Sequence, residues 1–227
     1  MAIFNTVYGG EWSWKPWSNT VAYYNINDND TSSYIYDLSW NNYTQTWHWT
    51  AWYDTDATYW RVATFNWSSY TQASSIVNFW SEFTFIALFK TTSTSNQAVV
   101  VECAAPSIYP IWLALNNYWA YSLWSAWQGN SNSNVNYWTS WQATTNSWTM
   151  LVWTRDSNWT GRIYKNWTLL TSWTVTSPNY SSWEALQIGR WRNGDACYLN
   201  WVFKLFIWEN RCWNDADIQK IAKQYGL

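Results

Sequence analysis

Short runs that mix apolar or β-branched residues with polar ones, many of them followed by Asn or Ser, recur along the whole chain. Val21–Ile26, Tyr34–Leu38, Trp60–Phe65, Tyr70–Gln72, Ala98–Cys103, Ile111–Leu115 and Tyr118–Trp124 read as strands. Trp148–Thr154, Gly161–Tyr164, Thr168–Thr171, Ala185–Ile188, Ala196–Leu199 and Val202–Trp208 continue the series. Phe83–Phe89 is apolar at nearly every position, which predicts a strand buried on both faces. Gln128–Asn136 is a polar loop between strands. Short strands with turns between them predict an antiparallel sandwich of at least about ten strands rather than βαβ units. No repeat of fixed period points to a propeller or solenoid. Only the C-terminus has helical spacing. Ile218, Ile221, Ala222 and Tyr225 share a face, Asn214 can cap, Asp215 and Asp217 suit the positive end, and Gly226 fits just past the end. This helix, over 214–225, is expected against the edge of the sandwich.

The 227 residues suit one domain over 18–227, with residues 1–17 as an aromatic N-terminal arm. Charged residues make up 11% of the chain and the net charge is −2, so no basic face invites nucleic acid. No apolar run is long enough for a membrane span. Met1–Thr6 (MAIFNT) has no basic segment followed by an apolar run, which reads against a Sec-type signal peptide.

One imbalance changes the picture: 26 Trp stand beside 7 Gly, where a usual share of about 7% Gly would give roughly 16. Trp67, Trp167 and Trp201 each follow Asn between strand-like runs, where Asn-Gly is the usual hairpin turn. Trp40, Trp173, Trp183 and Trp191 sit in similar turn-like surroundings, and Trp49, Trp112 and Trp159 are weaker cases. These positions lead to the expectation that glycine codons have been read as tryptophan. UGA is glycine in some bacterial lineages and their viruses, and tryptophan in another variant code. The competing reading is a true Trp-rich, sugar-stacking surface. On the first reading Trp67, Trp167 and Trp201 should occupy strained turns with exposed rings. Trp148, which opens a strand, and Trp208, within an apolar run, should be buried, and Trp213 precedes the helix cap.

No catalytic set is apparent. Glu11, Glu82, Glu102, Glu184 and Glu209 stand singly, and His48 reads as a loop histidine without a relay partner. No cofactor is expected, although calcium is the one ion that Asp28 with Asp30, Asp54 with Asp56, or Asn193 with Asp195 could hold. Asx turns are the plainer reading of these pairs. Cys103, Cys197 and Cys212 read as inert thiols, with a Cys197–Cys212 bond as the alternative. Tyr118, Tyr121, Trp124, Trp127 and Tyr137 form an aromatic stretch beside the 128–136 loop that could stack on sugar rings, or could simply be strand residues.

Val21-Ala22-Tyr23-Tyr24, Asp37-Leu38-Ser39-Trp40-Asn41, Thr64–Tyr70, Phe83–Phe89, Asn146–Asp156, Gly161–Trp167, Leu186–Arg190, Leu199–Asn210 and Asp215–Ile218 together resemble a laminin-G-like domain of the concanavalin-A-like lectin/glucanase superfamily. The likeness runs from about Asn19 to Gln224 and improves if Gly is read at the suspect tryptophans. It implies an all-β, antiparallel jelly-roll β-sandwich with one short C-terminal helix. The superfamily's glucanases carry a Glu-x-Asp carboxylate cluster that this sequence lacks. The implied role is a non-catalytic module on a phage virion (tail or capsid surface) or an extracellular surface. Its partners would be a cell-surface glycan or protein receptor, other virion subunits and, in a homo-oligomer, its own copies. The alternatives are a secreted bacterial carbohydrate-binding module and a purely structural subunit.

Overall fold

The computed structural model describes residues 18–26, 33–48, 53–66, 69–77, 82–91, 98–105, 108–116, 120–125, 135–139, 144–174, 184–189 and 201–227. The expectations for the arm 1–17, for Ala196–Leu199 and for most of the 128–136 loop lie outside these residues.

Two sheets are built from the described strands, numbered in chain order. The first runs β14 (Thr168–Thr174), β13 (Thr160–Lys165), β12 (Trp148–Arg155), β7 (Phe83–Thr91), β16 (Trp201–Glu209), β5 (Trp60–Phe65) and β4 (Tyr53–Asp56). Its remaining member, β1 (Thr20–Asn25), follows β5 along the same side of β16. The second runs β11 (Val135–Thr139), β10 (Ala120–Ser125), β9 (Ile108–Asn116), β8 (Ala98–Ala105), β15 (Glu184–Ile188), β6 (Tyr70–Val77), β3 (Gln45–His48) and β2 (Tyr34–Ile35). All the described pairings are antiparallel. The fold is an antiparallel jelly-roll β-sandwich with, among the described residues, one helix, α1 (Asp215–Gln224).

The pleat of β7 explains why the sequence there is apolar throughout. Phe83, Phe85, Ala87 and Phe89 point between the sheets, among Trp153, Phe206 and Trp208 of the first sheet and Ile35, Trp47, Leu186 and Ile188 of the second. Ile86 and Leu88 point outward, with Met150, Val152, Leu205 and Ile207, beneath Ile218, Ile221 and Ala222 of α1. The helix therefore covers the outer face of the first sheet, not its edge as expected. That face is apolar in three adjacent strands and would otherwise meet water. The cap is as predicted: Asn214 Oδ1 accepts from Asp217 N at 3.0 Å, and Gly226 is left-handed at φ 74.

Lys204 interrupts the apolar run of β16 at a bulge between Phe203 and Leu205. The extra residue reverses the pleat, so Phe203 faces the inner core and Leu205 the outer one. Lys204 is buried, and its Nζ donates to the carbonyls of Ile26 (3.0 Å), Tyr59 (3.3 Å) and Arg61 (3.0 Å). Three acceptors offset the cost of removing the ammonium from water.

The tryptophans divide. Trp208 is fully buried, as expected, whereas Trp148 is only half-buried at the head of β12. Trp167 lies in the two-residue β13–β14 turn and is 50% exposed as expected, but the left-handed residue of that turn is Asn166 at φ 58, and Trp167 itself is not left-handed. Trp201 is a correction: it opens β16, is 3% exposed and packs its ring 4.2 Å from Phe89. Trp173 is a second correction, since it lies within β14 opposite Gly161, whose missing side chain makes room for the ring. Trp67, Trp49, Trp183 and Trp191 lie outside the described residues, as does the side chain of Trp112. His48 belongs to β3 rather than a loop, and stacks on Tyr70 with ring centres 4.4 Å apart.

Candidate functional site

The motif Asp37-Leu38-Ser39-Trp40-Asn41 forms a loop clipped onto β1. Asp37 Oδ1 accepts from the backbone N–H of Tyr23 (2.9 Å) and Ser39 (2.9 Å). Its Oδ2 accepts from Ser39 Oγ (2.7 Å) and Tyr43 N (2.7 Å). Ser39 Oγ also lies 3.1 Å from Val21 O, and Asn41 Nδ2 donates to the carbonyls of Thr20 and Val21. Leu38 N donates to Tyr23 O at 2.7 Å, and Tyr24 Oη donates to Tyr43 O at 2.6 Å. Burial first, and the Asp37 charge second, push the Tyr43 phenol above its usual range. One carboxylate thus holds four donors, and the segment is fixed where it leaves β2.

That fixed segment presents apolar side chains outward. Tyr34, Tyr36 and Leu38 are 45%, 50% and 47% exposed, while Ile35 between them is buried. The Tyr34 and Tyr36 rings lie side by side, 6.2 Å between centres and tilted by 37°. Trp40, 86% exposed, sits on the turn that follows. Beneath, Tyr53 Oη donates to Tyr34 O (2.7 Å) and accepts from Trp47 Nε1 (3.0 Å). The large exposed apolar residues outside this segment, among those described, are Trp60, Trp167 and Leu169.

The other candidates lie partly outside the described residues. In the β9–β10–β11 ladder Tyr121 pairs with Leu115 and Thr139, Leu123 with Tyr137, and Trp124 with Trp112 and Asn136. Tyr118 and Trp127 lie outside the described residues. Asp56 is engaged by protein groups: Oδ1 accepts from Thr58 N, Tyr59 N and Trp148 Nε1, and Oδ2 from Lys90. Asp54 accepts from Thr55 N. No group of three or more His, Cys, Asp and Glu that could hold a metal ion occurs among the described residues, and Asp28, Asp30, Asn193 and Asp195 lie outside them. Glu209 is fully buried, accepting from Thr20 Oγ at 2.6 Å and from Arg211 Nε at 3.3 Å. Burial pushes its carboxyl above the usual range despite those bonds. Cys212 is a free thiol, raised by burial; Cys197 lies outside the described residues. Among the described residues no helix is long and apolar enough to cross a membrane.

No protein-family model matches the sequence, and no curated protein sequence does. The fold, however, is shared with solved structures. The binding domain of botulinum neurotoxin serotype D/C superposes with a TM-score of 0.71 at 11% identity, over 91% of this chain and 52% of that one. The botulinum neurotoxin DC binding domain in complex with SialylT gives 0.70 at 12% identity, over 91% and 51%. The same domain in complex with rat synaptotagmin II gives 0.70 at 11%, over 91% and 52%. This chain spans about half the length of each of these binding domains, and at such identities the likeness is one of fold.

Proposed function

We propose that this domain is a non-catalytic recognition module that binds a cell-surface glycan or protein from the surface of a phage virion. The observation that carries this reading is the exposed Tyr34–Tyr36–Leu38 row on a segment fixed by Asp37. Exposed apolar side chains on a rigid support mark binding surfaces, because little ordering entropy is lost when they are covered. The similar folds are binding domains, one solved with SialylT and one with rat synaptotagmin II, which supports the same class of work. Labelled protein applied to intact bacterial cells tests it: saturable binding competed by unlabelled protein is expected, and its absence across a broad strain panel overturns the reading.

The viral setting is supported by the tryptophans. Trp60 and Trp159 adopt left-handed backbone at φ 56 and 63, and the other described non-glycine residues that do so are Asn42, Asn146 and Asn166. Trp159 N donates to Asp156 O at 3.0 Å, closing a turn whose last residue is left-handed, a position that glycine ordinarily takes. We infer that glycine codons underlie Trp60, Trp159 and Trp167, and that Trp201 is authentic. The gene should carry UGA at the first three and UGG at 201, and UGG at all four would overturn the inference.

A further inference from the structure

We infer that the Tyr34–Tyr36–Leu38 row is a stacking platform for a neutral oligosaccharide, an assignment that rests on the recognition reading above. Three observations choose this occupant over a second copy of the chain or an added peptide strand. First, the area is small. Two tyrosines and a leucine about half exposed offer on the order of 300 Å², whereas a stable protein interface needs about 800 Å² from each partner. Second, the strand edge is poorly placed to take a new strand. β2 is two residues long, and the Tyr34 carbonyl already accepts from Tyr53 Oη at 2.7 Å, so few main-chain groups are left for strand addition. Third, the described loop that carries the row, residues 33–44, is polar between its apolar side chains and holds no charged residue other than Asp37. Asp37, the one ionisable carboxylate of the segment, has both oxygens filled by backbone and hydroxyl donors from its own loop and β1. Ser39, Asn41, Asn42 and Thr44 line the same loop.

A pyranose ring presents apolar C–H faces and a rim of hydroxyls. Side-by-side aromatic rings on a loop whose one carboxylate is already filled complement the apolar faces without an ion pair. The 6.2 Å separation of the two tyrosine rings lets adjacent rings meet adjacent sugars. Tyr34 and Tyr36 carry the site whichever residue stands at position 40.

The test is binding of the full chain to an array of maltohexaose, cellohexaose, chitohexaose and neutral or sialylated milk oligosaccharides, followed by calorimetry on any sugar that binds. Y34A/Y36A is measured beside the unmodified chain, with circular dichroism and thermal melting to confirm that it folds. Binding to a neutral sugar, weakened at least about tenfold in Y34A/Y36A with an unchanged melt, is the expected result. If that double variant does not fold, Y36S alone, which leaves Tyr34 and its carbonyl bond in place, is expected to weaken binding measurably. Equal binding by the variant and the unmodified chain overturns this site while leaving the recognition reading intact. Binding confined to sialylated sugars and lost on desialylation overturns the neutral class. No binding to any sugar, with intact cells still bound, overturns the platform and leaves a protein receptor as the ligand.

Discussion

A tryptophan at φ 56 has its Cβ pressed towards the neighbouring carbonyl, a conformation costing about 1–2 kcal/mol for an L-residue. Glycine at position 60 escapes that cost but loses roughly 0.5–1 kcal/mol to chain entropy. The Trp60 ring is 62% exposed, so its removal gives up little burial. W60G should therefore raise stability by about 0.5 kcal/mol, read as a higher urea midpoint at unchanged slope. W159G should gain less, because the Arg155 guanidinium lies 4.8 Å from that ring, a cation–π contact of about 0.5–1 kcal/mol. W201G should instead cost about 3–5 kcal/mol, as losing a buried aromatic does. A destabilising W60G, or a neutral W201G, would reverse the assignment of authentic and recoded positions. The sequence pattern Asn-Trp treats 167 and 201 alike. What separates them is that one ring has Phe89 to pack against and the other has water, and a dipeptide cannot show that.

The β4–β5 hairpin illustrates how an element with little core of its own is held. No residue of β4 is buried, yet its last residue, Asp56, ties the hairpin to Lys90 of β7 and Trp148 of β12. Burial works against the Asp56 charge, but the bonds from Lys90, Thr58 and Trp148 outweigh it and hold the carboxyl below its ordinary 3.8. A carboxylate whose pKa falls on folding contributes stability above its unfolded value and loses it as pH drops through the folded one. D56N should cost about 1.5–3 kcal/mol at neutral pH and flatten the part of the acid melt below pH 3.8 that the parent chain shows. An unchanged acid slope would show that the tie is not ionic. Strands buried on one or both sides, such as β7, β12 and β16, are legible in sequence because alternation or continuous apolarity forces them. β3 (QTWH) and β4 (YDTD) are not, since short polar segments owe their pairing to β6 and β5 rather than to their own pattern. Tyr34–Leu38 shows a further limit. Tyr-Ile-Tyr-Asp-Leu is apolar in both parities, so the sequence places a strand there but not which side faces solvent. Only the burial of Ile35 and the inward bonds of Asp37 turn the tyrosines out.

Across the whole molecule six of the described carboxylates are spent on architecture. Asp37 fixes a loop, Asp56 a hairpin, and Asp156 binds Arg162 at 3.0 Å while its Oδ1 accepts from Thr160 N. Glu209 and Asp217 share Arg211, each at 3.3 Å, and Asp215 accepts from Tyr164 Oη at 2.8 Å. Glycoside hydrolysis asks for something different: one carboxyl able to protonate a leaving oxygen and a second roughly 5–9.5 Å away, both open to the sugar. Glu209 has the raised pKa suited to an acid, but it is fully buried between β1 and the start of the α1 connection. A proton there cannot reach a polysaccharide without unfolding that corner. The sandwich should therefore hold a sugar at its surface without cleaving it. Incubated at pH 4 to 8 with laminarin, barley β-glucan, chitin and bacterial capsular polysaccharide, the full chain should release no reducing ends above the buffer rate. Release that disappears in Glu209→Gln or in any other single carboxylate substitution, with the thermal melt retained, would make the domain an enzyme and return the buried glutamate to the chemistry.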